Sequence, residues 1–186
     1  MIKQLHPKYW HRPQIPPVRD QVIFWLLAVA GLVGDLWSKT AVFKALGPND
    51  QIDIIPGFLR FITALNDGAA FSIARGKQPF LVGVSILAWI VILGVFYWNR
   101  RHSRLVLISL GMFAGGILGN LHDRMFEGGL VRDFIDVYIG RHHWPTFNVA
   151  DSLLCIAVGL LMISSVLHPQ GKSISPHDET PINDHR

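Results

Sequence analysis

The chain is poor in the features that mark soluble enzymes and metalloproteins. It has a single cysteine, Cys155, in 186 residues, which excludes an intramolecular disulfide and leaves the redox compartment unreadable. That cysteine lies inside an apolar run, where a thiol serves as a small hydrophobe. There is no CxxC or HExxH spacing, and His142-His143 is the one adjacent pair among nine histidines; no metal and no cofactor are expected. Charged residues make up 16% of the sequence, against about 25% in soluble domains. The formal charge is +4, yet lysine and arginine form no cluster interleaved with aromatics, so nucleic acid is not an expected partner. No internal repeat is visible, which argues against the repeated halves of a secondary transporter.

What the chain has is hydrophobic length. Phe80 to Trp98 is 19 residues without a formal charge and Leu105 to Leu121 another 17. Val149 to Leu167 holds one charge, Asp151, and an uncharged run from Val22 to Gly34 continues past Asp35 and Lys39 to about Leu46. A helix needs about 20 apolar residues to cross a bilayer. Four such runs leave too little polar surface to cover a soluble helical bundle. The expectation is an all-α membrane protein with four transmembrane helices, about 22–46, 80–98, 105–121 and 149–167. Ala28-Val-Ala-Gly looks like a signal-peptide cleavage site, but the run continues beyond it and is read as an uncleaved first helix. Residues 168–186, with Pro169, Gly171, Pro176 and Pro181, read as a disordered tail.

Basic residues set the expected topology. Lys3, Lys8, Arg12 and Arg19 precede the first helix, and Arg100, Arg101 and Arg104 crowd the short 99–104 link. Cytoplasmic segments carry such excesses, so residues 1–21, the 99–104 link and the tail are placed in the cytoplasm. The connections 47–79 and 122–147 then face outward. The first is too long for a simple link, and Gly57-Phe-Leu-Arg-Phe-Ile-Thr-Ala-Leu carries the residue types of a strand, giving a small periplasmic β-sheet and loops on the outer face. Trp25, Trp37, Tyr97 and Trp98 lie near helix ends, as interfacial anchors do.

This topology gathers the polar residues on one side. Asp35, Lys39, the segment Asn66-Asp-Gly-Ala-Ala-Phe71, Asn120, Asp123, Arg124, Asp133 and Asp151 all fall toward the outer face. Carboxylates at a bilayer edge are costly and by default functional. Asp133 and Asp151 are 18 residues apart, and two carboxyls sharing a site are the equipment of an aspartic hydrolase. Each residue also has a plainer reading. Asp151 follows Asn148 by three, the spacing of a helix cap. Asp133 has a rival in Asp136, and spacing does not separate them. Asp35 and Lys39, one helical turn apart, form a self-neutralising pair. Asp123 and Arg124 could pair locally or cap the third helix. Gly111, Gly115 and Gly119, widened by Gly116, allow close helix contact or leave room for a substrate segment.

Together these segments resemble the lipoprotein signal peptidase (signal peptidase II) family of four-helix bacterial inner-membrane aspartic proteases. The matching stretches, in the family's order, are Asp35-Leu-Trp-Ser-Lys39, Asn66-Asp-Gly-Ala-Ala-Phe71, Gly115-Gly-Ile-Leu-Gly-Asn-Leu-His-Asp-Arg124, Val131-Arg-Asp-Phe-Ile135 and Phe147-Asn-Val-Ala-Asp-Ser152. The family's catalytic dyad is the aspartate of its Val-x-Asp-Phe motif with that of Phe-Asn-x-Ala-Asp. The resemblance therefore implies Asp133 and Asp151 as the pair and prefers Asp133 over Asp136. It implies substrate-binding or supporting roles for Asp35, Lys39, Asn66, Gly68, Asn120, Asp123, Arg124, Asn148 and Ala150. It also implies a prolipoprotein substrate, diacylglyceryl-modified at its lipobox cysteine and cut just before it, with membrane lipids as partners; the sequence does not give the oligomeric state, and a monomer is the expectation. The expected localisation is the bacterial inner membrane, multi-pass, with both termini cytoplasmic.

Overall fold

Four long apolar helices and a four-stranded antiparallel sheet make up the computed structural model, which describes residues 15–68, 76–98 and 102–167. Three expectations fall outside the described residues: part of the 66–71 motif, the arginines at 100 and 101, and residues 1–14 and 168–186 of the terminal segments; residues 18–21, expected before the first helix, are its first turn. Helix α1 spans Val18–Ala45, α2 Gln78–Trp98, α3 Arg104–Phe126 and α4 Val149–Leu167. All four are long and apolar enough to cross a membrane. Their outward residues include Leu26, Val33, Leu87, Ile90 and Met162, each more than half exposed, as lipid-facing positions are.

Local chemistry sets the helix ends. Asp20 stands in the first turn of α1 and Lys44 in its last, each matching the helix dipole. Ser103 caps α3, its Oγ accepting from the Val106 N–H at 3.3 Å. The third helix runs five residues beyond the expected end at 121, to Phe126. The apolar run stops there, but Asp123 is buried and neutralised by partners on other elements, so its charge does not end the helix.

Helix α3 is central, with α1 and α4 against it over most of its length and α2 at one end. The core at that end joins Phe24 and Ala28 of α1, Phe96 of α2 and Leu107, Leu110 and Ala114 of α3. Phe24 stacks on Phe96 with ring centroids 4.1 Å apart. Toward the other end the glycines bring backbones together. A Cβ on Gly115 would lie 2.8 Å from the Ala28 carbonyl oxygen and 3.2 Å from the Gly31 Cα, and one on Gly116 would lie 2.8 Å from the Ala150 carbonyl oxygen. The glycine row is thus filled by α1 and α4 and leaves no room there for a substrate segment. Gly115→Val should destabilise the protein by about 1–3 kcal/mol, because overpacking meets backbone that cannot swing aside. Gly34→Ala, with open space around its Cβ position, should not. Thermal unfolding in detergent compares the two, and equal stabilities would refute this packing account.

The sheet consists of β1 (Gln51–Ile55), β2 (Leu59–Asn66), β3 (Val131–Ile139) and β4 (His142–His143), in the order β1-β2-β3-β4. Both long connections contribute to it, whereas the sequence pointed to a strand in the first alone. The reason is a β-bulge. The burial pattern along β3 slips between Asp133 and Phe134, which are both buried, so the period-2 signal is broken. The Phe147 carbonyl accepts from two successive N–H groups, Phe134 at 3.0 Å and Ile135 at 2.8 Å. The register against β2 also shifts between Phe61 and Ala64. Bulges re-aim the side chains beside them, and Asp133 stands at this one.

Candidate active site

The C-terminal ends of α1 and α3, the N-terminal end of α4 and strand β3 meet in one buried polar network. Asn148, fully buried, is its hinge. Its side-chain Nδ2 donates to Asp133 Oδ1 at 2.7 Å, and its backbone N–H donates to Asp151 Oδ2 at 3.2 Å. Its Oδ1 accepts from the Asp151 N–H at 3.0 Å. Asn148 and Asp151 therefore form a reciprocal cap on α4, and the same asparagine holds the carboxyl of Asp133. The helix-cap and paired-carboxyl readings are compatible.

The amides around the pair have forced orientations. The Lys39 Nζ donates to Asn120 Oδ1 at 3.1 Å. An ammonium has no acceptor, so the oxygen of Asn120 must face it, and the Asn120 Nδ2 is turned to Asp151 Oδ1 at 2.8 Å. Asn66 is fixed in the same manner. The Gly68 N–H donates to Asn66 Oδ1 at 2.9 Å, which leaves the Asn66 Nδ2 to donate to Asp133 Oδ2 at 3.0 Å. Arg124 donates to the Gly68 carbonyl at 3.2 Å, and its guanidinium lies within electrostatic reach of both Asp133 and Asp151.

Behind this layer lies an ionic one. Lys39, fully buried, stands 2.6 Å from Asp35 Oδ2 and 3.2 Å from Asp123 Oδ2. Asp35 Oδ1 accepts from the Ala150 N–H at 2.8 Å, securing the first turn of α4 one residue before Asp151. The pair read from sequence as self-neutralising is one part of a larger set. Asp123 pairs with Lys39 and Arg132 and not with Arg124, because strand β3 brings the Arg132 fork to it. Sequence reasoning singled out every residue of this network except Arg132. No local signal could have found it, since its partner lies on another element.

Asp133 is 2% exposed. Burial, and next the nearby Asp151 charge, push its pKa up to about 7, against the opposing hydrogen bonds from Asn66 and Asn148. Asp136 is equally buried but differently held. Burial acts to raise its pKa, but His143 and Arg60 outweigh it and hold the carboxyl below the usual range. Arg60 Nε donates to Asp136 Oδ2 at 2.7 Å, and the His143 Nδ1 lies 3.0 Å from Oδ1. Asp136 is thus engaged in a strand-to-strand ion pair.

A family model described as signal peptidase (SPase) II matches residues 27–167. The chain belongs to the signal peptidase II family. It is similar to the lipoprotein signal peptidase of Geobacter metallireducens, 37% identical over 77% of this chain and 90% of that protein. It is 42% identical to that of Sulfurihydrogenibium sp., over 70% of this chain and 83% of the relative. With that of Photorhabdus laumondii it shares 36% identity over 85% and 96% of the two chains. Two solved bacterial membrane enzyme structures share the fold. One gives a TM-score of 0.75 at 29% identity, covering 89% of this chain and 98% of its own. The other gives 0.71 at 30%, covering 87% and 100%. As a member of this family with four spans, the chain is a multi-pass bacterial membrane peptidase.

Proposed function

We propose that the chain is an intramembrane aspartic endopeptidase that removes the signal peptide from diacylglyceryl-modified prolipoproteins, cutting just before the lipidated cysteine. The observation that carries this reading is the grip of Asn148 on both Asp133 and Asp151. Two carboxyls held by one residue cannot both ionise cheaply, so they share a proton. Asp133, the more desolvated by burial and raised to about 7, keeps it. The negative charge rests on Asp151, at the N-terminus of α4 and facing two N–H donors.

In the reaction Asp151 takes a proton from a water, which attacks the scissile carbonyl carbon. Asp133 donates a hydrogen bond to the carbonyl oxygen, stabilising the tetrahedral intermediate, and a proton then passes to the leaving amine as the C–N bond breaks. Asn66, Gly68, Asn120, Arg124 and Asn148 orient the two carboxyls; Asp35, Lys39, Asp123 and Ala150 fix the elements that bear them. The acyl chains of the substrate lie among the apolar helices. We place both termini in the cytoplasm and the site at the outer face of the inner membrane. Supporting this, the sheet and the dyad sit at one end of the bundle, where α1 and α3 end and α4 begins.

A gel-shift assay with lipidated and unlipidated precursor tests the function. Only the lipidated form should be cleaved, at the same rate with and without EDTA. Cleavage that ignores the lipid, or that a chelator abolishes, would defeat the proposal. The raised pKa of Asp133 adds a pH dependence. The pair holds its one proton below about 7 and loses it as pH rises through that value, so kcat should fall above about pH 7. The apparent value belongs to the pair as a unit. A rate still climbing between pH 7 and 9 would contradict this assignment.

A further inference from the structure

Arg132 fills the one position that the Val-x-Asp-Phe pattern leaves open, directly before Asp133. Its guanidinium forks onto Asp123, with Nη2 to Oδ1 at 2.7 Å and Nε to Oδ2 at 3.3 Å. Its backbone N–H donates to the same Oδ2 at 3.0 Å. One residue thus ties β3 to α3 by side chain and main chain at once. Its carbonyl, on the other side, faces the Asn148 Nδ2 at 3.5 Å, the group that also holds Asp133.

The charge count requires this arginine. Asp35 and Asp123 are fully buried carboxylates, and Lys39 is the fully buried cation between them. The three N–H bonds of Lys39 are taken by Asp35, Asp123 and Asn120. Without Arg132 the cluster would keep a net negative charge next to the dyad. Glu127, 3.3 Å from Arg132 Nη1, is 42% exposed and is screened by solvent.

We infer that Arg132 is a positioning residue, which locks the strand before Asp133 onto Asp123 and so sets the Asp133 carboxyl against Asp151. This rests on the dyad reading above. The charged and titratable groups around the pair and its support are Asp35 and Lys39 of α1, Asp123, Arg124 and His122 of α3, the last with Nδ1 3.6 Å from Asp123 Oδ1, Glu127 beyond α3, and Arg132 itself on β3. Removing the Arg132 charge leaves the excess on Asp123, and a nearby like charge favours the protonated form of a carboxyl. Arg132→Lys keeps the charge but loses the fork, because an ammonium cannot bind a carboxylate bidentately.

The test is kcat and KM against pH for the full chain in detergent, with a diacylglyceryl-modified precursor. Arg132→Gln should lower kcat about 10-fold to 100-fold, the scale of a misplacement near 1 Å, with KM little changed. Its basic pH limb should move upward. Arg132→Lys should lose kcat with the limb in place, and Arg132→Gln with Asp123→Asn should return the limb without restoring kcat. A folded Arg132→Gln enzyme with the wild-type kcat and pH limb overturns the inference. So does a loss of rate that only tracks the fraction unfolded, with the limb unmoved. If Asp133→Asn or Asp151→Asn stays active, the dyad reading fails instead. If both are dead while Arg132→Gln is normal, this inference alone fails.

Discussion

Asp133→Asn and Asp151→Asn should each fold and each lose cleavage of a lipidated precursor by at least about 10³-fold, the upper range for removing a general acid or base. The substitution is nearly isosteric. In each case the new amide keeps one acceptor oxygen but turns its NH2 toward a group that donates: Asn66 or Asn148 at position 133, and Asn120 or the Asn148 N–H at position 151. That mismatch costs about 1–3 kcal/mol, too little to unfold a bundle whose helices are otherwise untouched. The rate loss is therefore chemical. An Asn at 151 cannot take the proton of the attacking water, and an Asn at 133 cannot return one to the leaving amine. Purified variants in a gel-shift assay, with thermal unfolding alongside, check both halves. Substantial cleavage by either folded variant would end the dyad account.

Lys39→Met should lower stability by about 3–5 kcal/mol, the cost of stranding a buried charge by removing its partner. Lys39 is fully buried with Asp35 and Asp123 at 2.6 and 3.2 Å, so its loss leaves one carboxylate without a counter-charge. The Asn120 amide keeps its orientation, because its Oδ1 also accepts from the Asn148 Nδ2 at 3.1 Å. The second variant, Lys39→Met with Asp35→Asn, restores neutrality because Asp123 keeps Arg132. Much of the stability should return, since a neutral set can replace a buried ionic one at little cost. Denaturation in mixed micelles gives the comparison. A single variant as stable as the wild type, or a double variant less stable than the single, would show that charge balance is not what holds this layer.

Several parts of the molecule were legible in the sequence because they follow from local pattern. The four apolar runs are long, and length alone separates a span from a core helix. Asn148 and Asp151 carry the spacing of a reciprocal cap, and Asp35 with Lys39 the spacing of one helical turn. The glycine row at 111, 115 and 119 named the tight face of α3, although which helix filled it was not visible. What stayed hidden is what depends on distant segments. Strand β3 was read as loop because its bulge at Asp133 breaks the alternation. Asp123 was read as pairing with its neighbour Arg124 or capping the helix, while its ionic partners are 84 residues before it, Lys39, and nine after it, Arg132. Asp133 and Asp136 were inseparable on spacing. Their environments separate them: one faces amides and a second carboxyl, the other an arginine and a histidine.

The claim that Asp133 and Asp151 act jointly is tested most directly by single-turnover cleavage of a lipidated precursor by the double variant, set beside each single one. Residues that act as a unit lose their whole contribution when either is removed. The account predicts a double variant with the same residual rate as the single ones. A double variant slower than both, by the product of their separate losses, would contradict it.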